Sequence, residues 1–185
     1  GMTDRYAALL RGINVGKAKR VAMADLRALV ERLGYRDVAT LLNSGNVVFT
    51  APGTTTTKPG PRIEQAIAEQ LGVTCRVTVL TKAEIDAAIA DNPLLAQATD
   101  PARLLVSVLG NAADRTRLTA IAGRDWGREA FALGPRVAYL WCPDGVLKSP
   151  LGEAVNRLLK DSQTTRNWNT MLKLQALLAA PVKRR

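Results

Sequence analysis

Three short stretches carry the side chains whose types and spacing could do chemistry. The first is Arg11-Gly12-Ile13-Asn14-Val15-Gly16-Lys17-Ala18-Lys19-Arg20, with four cations and no acid. Guanidinium and ammonium groups beside glycines, whose backbone N–H groups can approach a ligand closely, are suited to holding an anion, phosphate above all. The second is Asn43-Ser44-Gly45-Asn46, where Ser44 can donate to an anion, Gly45 can take positive φ and Asn46 adds an amide. The third is Thr165-Arg166-Asn167-Trp168-Asn169-Thr170. Here Arg166 offers a planar donor fork, Asn167 or Asn169 can cap a helix, and Trp168 can anchor the segment. The plainer reading of each is structural: glycines that permit a turn, solvated cations, a helix start and a core tryptophan.

Several chemistries are excluded at once. The chain has no histidine. That removes Ser-His-Asp and Cys-His catalysis, a histidine-ligated metal and the usual general base near neutral pH. No acidic pair stands beside the basic loop to replace it. Gly12 and Gly16 are separated by three residues and Lys17 precedes Ala18, whereas a nucleotide-binding P-loop needs four between its glycines and a Ser or Thr after the Lys. A dinucleotide fingerprint would require a further glycine that is absent. Cys75 and Cys142 form neither a disulfide framework nor a zinc spacing and read as reduced, buried thiols. No metal and no cofactor are expected.

Charge points to the partner. Twenty-six Lys and Arg against sixteen Asp and Glu give a net +10, so a charged partner should be anionic: a phosphate or a nucleic-acid backbone. Aromatics make up only 4% of the chain, and Tyr6 and Phe49 stand alone on the central strands, with no RNA-recognition signature. Binding by base stacking is therefore disfavoured, and binding through the phosphate backbone is not. No apolar run approaches the roughly 18 residues of a membrane span. No membrane partner is expected, and the cytoplasm is the expected compartment. Oligomeric state is not legible.

The elements that must position these residues follow from periodicity. Residues 6–10 read as an apolar strand, and Met23, Leu26, Leu29, Val30 and Leu33 as a helix closed by Gly34. Residues 38–42 and 47–50 are β-rich runs around the Asn43–Asn46 turn. Residues 51–60, with consecutive threonines and two prolines, read as an irregular loop. Ile63, Ala66, Ile67 and Leu71 mark a helix from Pro61 to Gly72, and 76–80 alternate as a strand. This βαββαβ order is the ferredoxin-like α/β plait. In a plait the β1–α1 loop and the β2–β3 turn leave the sheet at one end, so the first two stretches should be neighbours.

A capping box, Thr81-Lys82-Ala83-Glu84, starts a connecting helix that Asn92-Pro93 ends. The βαββ order then recurs: a strand at 103–109, a helix through Leu118, Ile121 and Ala122, and strands at 128–133 and 137–141. Ser149-Pro150 caps a further helix, and Met171, Leu174, Leu177 and Leu178 mark a last one. The fold expected is α+β: a plait over 2–82, a connector over 83–100, and a second, modified plait over 101–185. The fourth strand of the second plait is expected to be shortened to about 163–165 or missing. Strand one is apolar on both faces, so its sheet should be covered on the side away from the helices as well, with the other half of the chain as the obvious cover.

Three separated motifs, in order, are also recognisable: Tyr6-Ala7-Ala8-Leu9-Leu10-Arg11-Gly12-Ile13-Asn14-Val15-Gly16, Ser44-Gly45-Asn46-Val47-Val48-Phe49 and Thr165-Arg166-Asn167-Trp168-Asn169-Thr170. Together with Met23, Asn92-Pro93 and Pro143-Asp144-Gly145 they strongly resemble the bacterial domain-of-unknown-function family numbered 1697, over nearly the whole chain. The resemblance implies a pair of α/β plaits and brings no assigned reaction with it. One departure is Val146-Leu147-Lys148, where relatives often carry Gly and a basic residue. Three functional readings compete. A phosphate- or polyanion-binding protein is favoured by the clustered charge; an enzyme on a phosphorylated or nucleotide substrate, working without histidine, is favoured by the Asn, Arg, Ser and Gly motifs; a structural or oligomeric interaction protein is the remainder.

Overall fold

The computed structural model describes residues 4–51 and 58–180. Most of the irregular loop expected over 51–60 lies outside the described residues. The chain divides into two compact units: one runs to Ile85 and includes the residues from Lys173 onward, and the other is Asp86–Leu172.

The first unit contains β1 (Arg5–Leu10), α1 (Met23–Arg32), β2 (Arg36–Leu41), β3 (Asn46–Thr50), α2 (Pro59–Leu71) and β4 (Val77–Thr81). Its sheet is antiparallel in the order β2-β3-β1-β4, which is the plait topology. Alternation sorts β1 into two faces. Tyr6, Ala8 and Leu10 join Leu26, Leu29, Val30, Ile63 and Ile67 in one core cluster. Ala7 and Leu9, on the opposite face, are just as buried. Helix α1 ends as expected, with Gly34 at φ 94 donating to the Glu31 carbonyl. Helix α2 begins two residues earlier than the sequence suggests, because Pro59 already occupies a first-turn position where its missing N–H costs nothing. The capping box is reciprocal: Thr81 N–H donates to Glu84 Oε1 and Glu84 N–H to Thr81 Oγ1, each at 3.0 Å, at the start of α3 (Lys82–Ala90).

The second unit repeats the topology. It holds β5 (Leu104–Leu109), a short 3-10 helix (Ala112–Leu118) running into one turn of α4 (Thr119–Ala122), β6 (Ala130–Leu133), β7 (Val137–Trp141), α5 (Pro150–Leu159) and β8 (Gln163–Asn167); α6 (Trp168–Ala179) follows and runs across the division at Leu172. The strand order is β6-β7-β5-β8, the same as in the first sheet. What is modified is the first crossover, where a 3-10 segment and a single turn replace a full helix. The fourth strand is neither missing nor cut back to residue 165. It pairs with β5 from Leu109 opposite Gln163 to Leu105 opposite Asn167. Gln-Thr-Thr-Arg-Asn carries no apolar alternation, and its buried polar atoms are satisfied instead: Gln163 accepts from the Ser107 and Thr165 hydroxyls and donates to Asn156 Oδ1.

Candidate functional site

Three connections meet at one end of the first sheet. Leu10 N–H donates to the Gly45 carbonyl (2.8 Å) and Arg11 N–H to the Arg76 carbonyl (2.9 Å). The β1–α1 loop, the β2–β3 turn and the α2–β4 connection are therefore joined through their backbones, and the expected neighbourhood of the first two stretches holds. The exposed Arg76 was missed by sequence reasoning, although the same plait topology brings its connection to this end.

Asn14 fixes the loop. Its amide donates to the carbonyls of Val21 (2.8 Å) and Asn43 (2.7 Å), and its Oδ1 accepts from Val21 N–H (2.8 Å). It thus ties the two ends of the loop to each other and to the neighbouring turn. The backbone at Asn14 is left-handed, φ 56, a conformation asparagine tolerates better than most residues. Beyond it the chain folds back on itself: Asn14 N–H donates to the Lys19 carbonyl (3.0 Å) and Val15 bridges Ala18. The result is a miniature two-stranded ribbon turning at Gly16-Lys17, with Gly16 at φ 60 in the first central position, as in tight hairpin turns. Ile13 is buried beneath it. Gly45, at φ 92, leaves no room for a side chain; a Cβ there would stand 2.7 Å from Ile13 Cδ1 and 2.9 Å from Leu10 Cβ. Gly12, at φ 69, has open space around it and serves the backbone turn.

Val15, Gly16, Lys17, Ala18, Lys19 and Arg20 are all exposed. Arg20 donates to the Gly16 carbonyl at 3.3 Å. Among the described residues no carboxylate pairs with Lys17, Lys19 or Arg20. Helix α1 starts only after Val21. Its N-cap is Ala22, whose methyl group accepts nothing, and Asp25 in the first turn supplies the negative charge that a helix N-terminus favours. In the adjoining turn Ser44 is exposed, and its Oγ accepts from Asn46 Nδ2 at 3.0 Å. Asn46 is the first residue of β3; it is fully buried and also donates to the Leu41 carbonyl at 2.7 Å. Its amide closes the turn from inside.

The third stretch belongs to the second unit. Arg166 is an interior residue of β8, opposite Val106, and is buried at 8% exposure. Its guanidinium donates to the Thr165 carbonyl at 3.0 Å, and burial lowers its pKa to about 10. Asn167 is the N-cap of α6: its Oδ1 accepts from Thr170 N–H (2.9 Å) and the Thr170 hydroxyl (3.0 Å). Trp168 is buried, Asn167 is half-buried, and Asn169 is exposed.

The thiols offer no nucleophile. Burial pushes Cys75 up to about 11, with nearby Glu64 adding to the effect and Lys19 opposing it. Cys142 is likewise held at about 11 by burial. Both stay protonated near neutral pH, and the thiolate is the reactive form. Among the described residues no group of three His, Cys, Asp or Glu side chains could hold a metal ion, and no helix is long and apolar enough to cross a membrane. The departing Val146-Leu147-Lys148 segment lines an open concavity of about 510 Å³ at the start of α5, with Leu147 fully exposed.

The solved structure of a conserved bacterial protein from Streptococcus pneumoniae is similar, with a TM-score of 0.79 and 24% identity over 96% of this chain and 99% of that one. At that identity the likeness carries the fold. No curated protein matches the chain. Residues 2–139 match the family described as Protein of unknown function (DUF1697), so the motif at 165–170 falls outside the matched range. The match takes in the loop, the turn, β1 to β4 of the first plait and the second plait as far as β7, and the chain belongs to that family.

Proposed function

We propose that the protein binds a phosphate-bearing polyanion through the ribbon of the β1–α1 loop, with Lys17, Lys19 and Arg20 as the contacting cations. The carrying observation is a contrast between the two plaits. In the second, Gly110 and Asn111 alone link β5 to the helical crossover; in the first, the chain from Arg11 to Ala22 makes the same connection. The topology does not need the longer loop. That loop is nonetheless built, pinned by Asn14 and closed over Ile13, and among the described residues no carboxylate pairs with its Lys17, Lys19 or Arg20. Elsewhere in the chain Arg128 does have such a partner, Asp144 at 2.9 Å. Uncompensated cations on a rigid support attract polyanions and release their counterions on contact.

The test is polyanion binding as a function of salt for the wild type and the variant K17A/K19A/R20A. Affinity should fall, and the slope of log K against log salt should flatten by up to about 0.9 per lost phosphate contact. Melting should hardly move, because exposed substitutions typically change stability by no more than about 0.5 kcal/mol. An unaltered slope removes the loop from the site.

A further inference from the structure

We infer that the polyanion is duplex DNA, engaged by the ribbon in its groove; the inference rests on the polyanion reading and narrows it. Shape decides against a small ligand. A small-molecule site is concave and encloses most of its ligand, whereas every residue from Val15 to Arg20 is exposed and Val15 stands 71% accessible. A convex, rigid support fits a partner that wraps around it.

Chemistry then separates the extended polyanions. Single strands are held by stacking on aromatic rings, but Tyr6, Tyr35 and Phe49, the aromatics of this unit, are 2%, 5% and 0% exposed and stack within the core, with the Tyr35 and Phe49 centroids 4.7 Å apart. An anionic lipid surface is held by large apolar side chains beside the cations, and the ribbon shows only Val15. A regular duplex needs neither. Strands about 4.8 Å apart make a ribbon that enters a major groove about 12 Å wide, and cations on such a ribbon reach the phosphates that line it. The major groove of duplex RNA is too narrow for this. Because Asn14 fixes the loop beforehand, little ordering accompanies binding.

The experiment is fluorescence anisotropy with a labelled 20-base-pair DNA duplex, its separate strands, the matching RNA duplex and inorganic polyphosphate, alongside co-sedimentation with phosphatidylserine vesicles. Duplex DNA should bind at least tenfold more tightly than the single strand. K17A/K19A/R20A should erase that preference, and N14A, which keeps every cation but loosens the ribbon, should reduce it severalfold. The triple variant changes exposed positions only, so it carries the test should N14A fail to fold. Equal, loop-dependent binding of duplex, single strand and polyphosphate would overturn the DNA inference and leave the polyanion reading standing. So would a preference for RNA duplex or vesicles. Binding of every polyanion unchanged by the triple variant would overturn both.

Discussion

Asn14 and Gly45 show how single side chains make a loop into a support. Asn14 places one amide in three hydrogen bonds, to both backbone groups of Val21 and to the Asn43 carbonyl. Truncation in N14A leaves the Val21 and Asn43 backbone groups without partners, a loss of about 2 kcal/mol that thermal or denaturant unfolding would register. Gly45→Ala should cost a similar amount, about 2 kcal/mol, since its Cβ would press on Ile13 and Leu10 from a left-handed backbone. A melting curve identical to wild type for both variants would contradict this account of the loop. Arg166 behaves differently. Its donor fork suits phosphate, yet it lies inside a strand, with Nη1 donating to the Thr165 carbonyl and its charge destabilised by burial. Arg166→Lys keeps the charge but loses the fork, so the melting temperature should drop while polyanion affinity of the folded protein stays put. A tenfold loss of affinity at constant melting temperature would instead place Arg166 at the ligand.

At the scale of elements, helix starts were the most legible feature, because their signals are local and chemical. The Thr81 capping box and the Ser149 cap, whose Oγ accepts from Gly152 N–H at 2.8 Å, can be read from the letters alone. Asn167 caps α6 in the same way, and Asn167→Ala should cost about 1 kcal/mol, measurable by urea denaturation. No change would mean that Trp168 and the β8 pairing hold the helix start without it. Strand β8 was the least legible element: its burial is met by hydrogen bonds to Ser107 and Asn156 rather than by apolar contact, so nothing in Gln-Thr-Thr-Arg-Asn alternates. The Asn14–Lys19 ribbon was equally hidden. Its sequence shows the basic charge and the glycines, but the fold-back depends on an asparagine reaching two segments at once, and no local pattern encodes that.

At the scale of the molecule, the two plaits bury groups whose titration links folding to alkaline pH. Burial raises Cys75 and Cys142 from 9.0 to about 11, and burial, with Asp91 adding, raises Tyr139 from 10.0 to about 12. Each is an acid that the native state keeps protonated after the unfolded chain has released its proton. The stability they contribute is complete below the unfolded values and drains away as pH rises towards the native ones. Arg166 has the opposite sign: lowered from 12.5 to about 10, it gives up its proton in the native state first, so stability gains from it above about pH 10. The thiols act first, from about pH 9; above 10 Tyr139 and Tyr6, whose phenol burial also raises, join them as falling contributions, while Arg166 and Arg5, which burial lowers, oppose them. The melting temperature should therefore decline from about pH 9 to 11, and a Cys75→Ala, Cys142→Ala double variant should start lower and decline less steeply. A profile that stays flat over that range, or a double variant with the same slope as wild type, would mean that the thiols are not buried as protonated groups.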